Sequence, residues 1–510
     1  MKLFLRRNAP LFYALAAMLA LYIPWLNRGY SNWEWPHVLA GEALAYPEKI
    51  GLLDAYWSTG QANPLGYPLF NALLQRLVPW TDAPWLWRVP SLVGCGLIVT
   101  WGWLVRDEFG KESGKKFLLW TILLLSSPLI VAYSSSATSD LLPVGLLLMS
   151  FWLIRHYVSN QSKRFLVVGA LVFGVSCVVR YISPYFFGFF AFSLLGVHGF
   201  KASKKIIDLT VFSLISGAFL FSEIAWKFWA FDVLISTRLD QNGPNFLDFK
   251  SWIVTFVRYS SLLGLFCGVV WLVGVPKKLF ARIGFFVLGA TATVSALLAF
   301  FVSQQEEQGE MNFGLGFPFS NFVTGLFSAV GIFGSVFIFL SFANQIKQRD
   351  RFSSALMAGA IPCLVLMSAS RPTQRYLLYF IPILLFVLAR LVKLKLGVIS
   401  WAYLSLTVVV FVASSFYGML FLRSQGDASE SMALWVKENG LIDQTSVSSI
   451  WPHAGQHWWG IVPGQTRYEI IAVTPSAEAQ LQERVLHREP MKVLGKVTRV
   501  YLLREIPAAP

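Results

Sequence analysis

The chain carries little charge for its length. Only 14% of its 510 residues are Asp, Glu, Lys or Arg, whereas 55% are hydrophobic. A soluble protein of this size needs more polar residues to cover its surface, so the composition excludes a soluble globular protein. Internal repeats and low-complexity tracts are absent from the sequence, which excludes repeat architectures.

Cysteine is scarce as well. The chain has four, each inside an apolar run and far from the others in sequence. This distribution argues against a disulfide framework or a cysteine-bound metal, and it predicts four small buried side chains. They are Cys95, Cys177, Cys267 and Cys363.

Positive charge exceeds negative charge, giving a net charge of +15. A nucleic-acid partner would require these charges on one surface, but they are distributed between apolar runs. The basic residues instead occupy every second connector, as expected of cytoplasmic loops in a membrane protein. No nucleic-acid partner is therefore expected.

The apolar runs are long enough to cross a bilayer, and together they predict about thirteen transmembrane helices. Lys2, Arg6 and Arg7 predict a cytoplasmic N-terminus, and the first run continues to Leu26 without a cleavage region, so it is predicted to be a retained span. The predicted spans include residues 9–26, 89–105, 117–133, 165–179, 206–226 and 398–422.

The pattern divides the chain into a transmembrane domain, residues 1–422, and a more polar tail, residues 423–510. The tail contains a helical pattern in SESMALWVKENG and strand-type alternation in KVTRVYLL, which predict a small extracytoplasmic α/β domain. The fold class expected is therefore an all-α polytopic membrane protein with an α/β C-terminal domain.

Residues 28–88 form a first outer loop that is too long and too apolar for a simple connector. Pro36 suits the first turn of a helix carrying Glu34 and His37 near its start, and residues 65–80 have the pattern of a helix lying in the membrane interface. Two interpretations of Glu34 stay open. It is a solvated carboxylate at a helix N-terminus, or a general base or ion ligand at a lipid-facing active site.

Several motifs occur in an order that resembles the GT-C superfamily of membrane glycosyltransferases. They are NWEWPHVLAGEAL after the first span, NPLGYPLFNALL in the outer loop, SSSATSDLLPVG before the fourth span, VVRY after the fifth and SRPTQRYLLYFIP after the eleventh. The nearest likeness is to the bacterial branch that includes aminoarabinose and protein O-mannosyl transferases.

The resemblance implies a hexosyl- or pentosyltransferase that moves a sugar from a polyprenyl-phosphate donor to a glycan, lipid or protein acceptor. It implies a location in the bacterial inner membrane with the C-terminal domain on the periplasmic or extracellular side. Glu34 would be the catalytic base and Asp140 a second catalytic acid, with Glu42, Glu48 and Asp54 as rivals of Glu34. The substrate-binding residues expected are His37, Arg180, Arg371, Arg375 and Tyr376.

Arginine suits a phosphate leaving group because its guanidinium binds two phosphate oxygens at once. No metal-ligand set is evident in the sequence, so no cofactor is assigned, and a divalent cation such as Mg²⁺ or Mn²⁺ stays open. His453 and His457 have metal-type spacing, but the neighbouring glycines favour an ordinary or acceptor-binding loop.

Two other functions are considered. A lipid-linked glycan transporter or flippase would more often show ionisable residues within its spans and an internal repeat, and the sequence shows few of the former and none of the latter. An O-antigen polymerase or ligase would carry its main arginines in large outer loops, and the early acid after the first span argues against it.

Overall fold

The computed structural model describes the greater part of the chain. The described residues are 2–30, 34–46, 64–81, 83–110, 112–196, 201–231, 249–268, 331, 334–336, 338, 351–369, 374–391, 398–441, 444–447, 467–473, 475–479 and 484–506.

The described part is mostly helical. Its α-helices are α1 (Lys2–Tyr22), α2 (Trp35–Ala45), α3 (Gly66–Leu77), α4 (Pro84–Leu104), α5 (Ser113–Ser126), α6 (Pro128–Ser134), α7 (Leu141–Asn160), α8 (Lys163–Val179), α9 (Phe187–Leu195), α10 (Ala202–Phe231), α11 (Phe249–Leu263), α12 (Arg351–Ser368), α13 (Ile381–Leu391), α14 (Val398–Glu438) and α15 (Pro475–Glu478). A 3-10 segment, Gln374–Tyr379, precedes α13.

Five of the described helices are long and apolar enough to cross a membrane, and a bent pair adds a sixth. Large apolar side chains on several of these helices are exposed, as expected where lipid covers the surface. The chain is therefore an integral membrane protein. The predicted total of thirteen spans is not confirmed, and residues 269–330, part of the predicted helical region, lie outside the described residues.

The third predicted span, residues 117–133, is not one straight helix. Helices α5 and α6 meet at Ser127 with a bend of 69°. Ser127 has an extended backbone and Pro128 is the first residue of α6. Because proline lacks an N–H and disfavours helical geometry in the residue before it, the sequence Ser-Pro interrupts the helix there. The bend starts α6 in a new direction and brings its C-terminal end to the candidate site.

At the end of the bundle predicted to be cytoplasmic, a polar network joins the segment after α4 to the start of α5 and to the C-terminal parts of α7 and α13. The Glu108 carboxylate pairs with Arg155, in the C-terminal part of α7, and lies 3.4 Å from Nη2 of Arg390 in α13. Lys116 Nζ donates to the Arg390 carbonyl at 2.7 Å. The predicted topology puts these segments on one side of the membrane, and the structure brings them together.

The last predicted span is longer than expected. Helix α14 runs for 41 residues, so the predicted domain boundary at 422/423 lies inside it. The helix continues past Leu422 because no proline separates the apolar pattern from the helical pattern of SESMALWVKENG. The division into domains itself stays a prediction.

The C-terminal end of α14 packs on a small sheet, as the tail pattern predicts. Its strands are β1 (Thr445–Val447), β2 (Tyr468–Val473), β3 (Val485–Val493) and β4 (Lys496–Glu505), in the order β1-β2-β4-β3. β1 is parallel to β2, and the other pairs are antiparallel. Met432 and Val436 of α14 pack against Ile470, Met491 and Tyr501 of the sheet. All four cysteines are buried and unbridged, which confirms their predicted role.

Candidate functional site

The first candidate residue, Asp140, lies in the loop 135–140 (SSATSD), which connects α6 to α7 and is called the Ser loop below. Asp140 is the residue before α7, and it is fully buried. Its side chain does not cap the helix. Neither carboxylate oxygen accepts a hydrogen bond from the described residues. A buried carboxylate without hydrogen-bond donors is costly, so this group is available to a ligand or a reacting hydroxyl.

Arg180 lies beside Asp140. It ends α8, where the backbone turns from helical to extended geometry. Its Nη2 is 3.3 Å from Asp140 Oδ1, and its Nη1 donates to Ser139 Oγ at 2.7 Å. The guanidinium is therefore held by the Ser loop and keeps one face toward the ring of Tyr376, 5.8 Å away.

Arg375 and Tyr376 reach the same place from the 3-10 segment before α13. The Arg375 guanidinium lies 5.7 Å from the Tyr376 ring centre, and it interacts electrostatically with Asp140. Its Nε is buried without a hydrogen-bond partner among the described residues. Arg180 and Arg375 thus present two positive charges to one buried carboxylate.

His37 completes the group from α2. It is buried, it packs edge-on against Tyr67 at 5.4 Å, and its Nδ1 has no hydrogen-bond partner among the described residues. Burial, reinforced by the positive charge of Arg180, lowers the pKa of His37 to about 3. The imidazole is therefore neutral at pH 7, and it can donate or accept a hydrogen bond without adding charge.

Glu34 lies nearby but is fully engaged. Its Oε1 accepts from Arg88 Nε at 2.8 Å and from the Ala137 N–H at 2.7 Å. Its Oε2 accepts from Arg28 Nη1 at 2.8 Å and from Arg88 Nη2 at 3.1 Å. All three side chains are buried. A carboxylate held by four N–H donors is a poor proton acceptor, because those donors stabilise its charged form.

Arg28 and Arg88 were not among the predicted site residues. Burial lowers the pKa of Arg28 to about 10, with a further contribution from the charge of Arg88, and the group remains cationic at pH 7. Arg88 also donates to the carbonyls of Leu26 and Gly29. The two arginines stand at the start and end of the segment 28–88, which carries Glu34, and that position was the available signal.

A second polar group lies at the outer end of α10 and was also missed. Glu223 Oε1 accepts from the Leu65 N–H at 2.9 Å and from the Tyr181 hydroxyl at 2.7 Å. Lys227 donates to the Tyr181 hydroxyl at 2.7 Å and lies 3.5 Å from Glu223 Oε1. These hydrogen bonds hold Leu65, at the start of α3, and Tyr181, which follows Arg180.

A helix is present in the predicted region 65–80, as α3 (Gly66–Leu77), and Gly66 explains its position. Its placement in the membrane interface stays a prediction. A Cβ on Gly66 would lie 2.6 Å from the carbonyl oxygen of Val178 in α8. Only glycine allows this approach, which brings α3 against the end of α8 that carries Arg180.

The structure therefore brings together five predicted residues, His37, Asp140, Arg180, Arg375 and Tyr376, with Glu34 beside them. Glu42 is described on α2 and is half-buried. Arg371, Glu48, Asp54, His453 and His457 lie outside the described residues. Within the described ranges, no group of three or more His, Cys, Asp or Glu residues is arranged to hold a metal ion.

No protein-family model matches the chain, and no curated protein sequence matches it. Solved structures give two kinds of likeness. ArnT from Cupriavidus metallidurans bound to undecaprenyl phosphate has a TM-score of 0.44 and 12% identity, covering 99% of both chains. The apo Archaeoglobus fulgidus oligosaccharyltransferase has a TM-score of 0.46 and 13% identity, covering 85% of this chain and 58% of the other.

Both of these proteins are GT-C membrane glycosyltransferases, the superfamily that the sequence motifs resemble. TM-scores below 0.5 show a likeness and do not carry function from one protein to another. The function is therefore proposed from the residues of the site.

Proposed function

We propose that the protein is a membrane glycosyltransferase that moves a sugar from a polyprenyl-phosphate donor to an acceptor hydroxyl or amine at the extracytoplasmic face. One observation carries the proposal: the buried Asp140 carboxylate accepts no hydrogen bond from the described residues, pairs with Arg180 at 3.3 Å and interacts electrostatically with Arg375. This group joins an anion site to a proton acceptor, and both are needed for the reaction.

The two arginines suit the leaving group. When the bond between the anomeric carbon and the phosphate oxygen breaks, the phosphate keeps the electron pair and gains negative charge. Guanidinium groups stabilise this charge with paired, charge-assisted hydrogen bonds, and they do so best where water is excluded. Arg375 Nε is buried and has no hydrogen-bond partner in the described residues, so it has a donor to offer the phosphate.

Asp140 suits the acceptor. A hydroxyl or amine that attacks the anomeric carbon must lose a proton, and a buried carboxylate that accepts no hydrogen bond from the described residues can take it. If the attack comes from the side opposite the phosphate, the anomeric configuration inverts. The neutral His37 is suited to orient a sugar hydroxyl by a hydrogen bond. Glu34, whose oxygens are already occupied, is the less suitable base.

A transfer assay tests this function. Membranes containing the protein are supplied with polyprenyl phosphates carrying radiolabelled hexoses or pentoses, and label in acceptor material is counted. We expect transfer from at least one donor, with Asp140→Asn reducing its rate on the order of 100-fold, since general-base catalysis contributes at least that much. Asp107→Asn, at an exposed position at the opposite end of the bundle, serves as the matched control and should leave the rate unchanged.

Two results would overturn the proposal. Wild-type membranes that move lipid-linked glycan between leaflets and transfer no sugar from any donor would favour a transporter. Wild-type membranes that join only whole glycan chains would favour a polymerase or ligase. Unchanged transfer by Asp140→Asn would remove Asp140 as the base.

A further inference from the structure

The Ser loop is held from outside by the first outer segment. The Ala137 N–H donates to Glu34 Oε1 at 2.7 Å. Arg28 Nη2 donates to the Ser136 hydroxyl at 2.8 Å and to the Ser135 carbonyl at 3.3 Å. Three hydrogen bonds therefore connect Glu34 and Arg28 to the Ser loop, which ends in Asp140, three residues beyond Ala137.

Glu34 and Arg28 are themselves held in place by Arg88. Arg88 bonds both oxygens of Glu34 and, in addition, the backbone carbonyls of Leu26, Arg28 and Gly29. Its guanidinium also lies 5.1 Å from the Tyr30 ring. A buried ion pair contributes little net stability but is strongly sensitive to the loss of one partner, so such a group fixes geometry.

Helix α4 holds the Ser loop at a second point, Thr138. The Ser91 hydroxyl donates to the Thr138 carbonyl at 3.0 Å and lies 3.0 Å from the Tyr67 hydroxyl. Arg180 then bonds the next residue, Ser139. Every residue of the loop from Ser135 to Ser139 is therefore tied to a neighbouring element, whereas the carboxylate of Asp140 accepts no hydrogen bond from the described residues.

We propose that Glu34 is a positioning residue, which acts through the Ala137 N–H and the Ser loop to set the distance of Asp140 from Arg180 and Arg375. This inference rests on the proposed function, and it assigns the two acids different roles. Asp140 accepts the proton, and Glu34 stays ionised and bonded throughout the reaction.

Chemical rescue separates the two roles. In Asp140→Ala, added formate occupies the space of the missing carboxylate and restores at least tenfold of the lost transfer rate. In Glu34→Ala, formate can take the place of the carboxylate among Arg28, Arg88 and the Ala137 N–H. Rescue there should not depend on the basicity of the added carboxylate, whereas rescue of Asp140→Ala should increase from formate to the more basic acetate. Rescue of Glu34→Ala that increases with the basicity of the carboxylate, or rescue of Asp140→Ala that does not, would overturn the assignment.

The conservative variant gives a second readout. Glu34→Gln keeps an oxygen that can accept from the Ala137 N–H, so we expect it to retain at least tenfold more kcat than Glu34→Ala, with a similar KM for the donor. Were Glu34 the base, both variants would lose kcat equally, because neither side chain can take a proton.

A third measurement does not depend on transfer. Hydrogen exchange followed by mass spectrometry reports the protection of the Ala137 amide in the purified protein in nanodiscs. Glu34→Ala should speed exchange in the Ser loop at least tenfold, and Asp140→Asn should not. Wild-type protein without transfer activity, together with this exchange pattern, would refute the proposed function and keep the positioning role. Unchanged exchange in Glu34→Ala would refute the positioning role alone.

Discussion

The backbone of Gly29 lies directly against the backbone of Gly426. A Cβ on Gly29 would lie 2.6 Å from the Gly426 carbonyl carbon, and a Cβ on Gly426 would lie 2.5 Å from that of Gly29. No L side chain fits between two main chains at this distance. The contact therefore joins α14 to the segment that carries Arg28, and through Arg28 to the Ser loop.

The first prediction concerns this contact. Gly426→Ala should destabilise the protein by about 1–3 kcal/mol, because the added methyl group must push two backbones apart. Gly418→Ala, on the same helix with open space at its Cβ, should be neutral or stabilising by up to about 1 kcal/mol. Thermal unfolding in detergent compares the two. Equal effects would show that the close approach is unimportant.

The second prediction concerns the arginines. Arg180→Lys and Arg375→Lys should each raise the KM for the donor by about tenfold or more, because an ammonium group lacks the planar pair of donors that matches phosphate. Arg164→Lys, exposed at the opposite end of α8, is the control and should leave KM unchanged. Steady-state transfer kinetics measure the effect, and normal donor affinity in both site variants would exclude an arginine phosphate site.

The third prediction concerns pH. The pKa of His37 is lowered from 6.5 to about 3 by burial, so the unfolded chain takes up a proton at His37 between these values and the folded protein does not. Folding stability supplied by the neutral ring is therefore complete above pH 6.5 and falls as the pH drops toward 3. Thermal unfolding at pH 7 and pH 5 should show that the wild type is less stable at pH 5. In His37→Asn that loss of stability should be smaller, and an identical loss would contradict the prediction.

The fourth prediction concerns Glu223. Glu223→Gln leaves Lys227 buried beside a neutral group, which should cost about 3 kcal/mol and loosen the start of α3. Hydrogen exchange at the first turn of α3, including the Leu65 amide, should rise. Ser222→Ala, at an exposed neighbouring position on the same helix, provides the comparison. Unchanged protection in Glu223→Gln would show that α3 does not depend on this bond.

The sequence predicted much of the fold because lipid imposes simple rules. The apolar runs and basic connectors predicted α4, α8 and α10 near their observed limits, since length and hydropathy alone define such helices. The bend at Ser127 lay within an apolar run and was missed, although Pro128 was the local signal. The joining of the last span to the tail helix was missed because the polarity of the sequence changes there, although no proline ends the helix.

The sequence predicted which residues belong to the candidate site more fully than it predicted the role of each residue. Asp140, Arg180 and Arg375 each stand at the end of an apolar run, which is visible in a sequence. Glu34 pairs with both Arg28 and Arg88, and Arg88 Nη1 also donates to the Arg28 carbonyl. These contacts join residues up to 60 positions apart in the chain. Such pairings depend on packing and are not encoded in any local pattern.

Helix α14 has a consequence for how the chain tolerates changes in length. An α-helix turns by about 100° and rises about 1.5 Å with each residue. One residue inserted between Gly418 and Gly426 would therefore rotate Gly426 away from Gly29 and swing the four-stranded sheet around the helix axis by the same angle. The number of residues in α14 therefore sets the rotation of the sheet relative to the membrane bundle. Only insertions of whole helical turns come close to restoring that rotation.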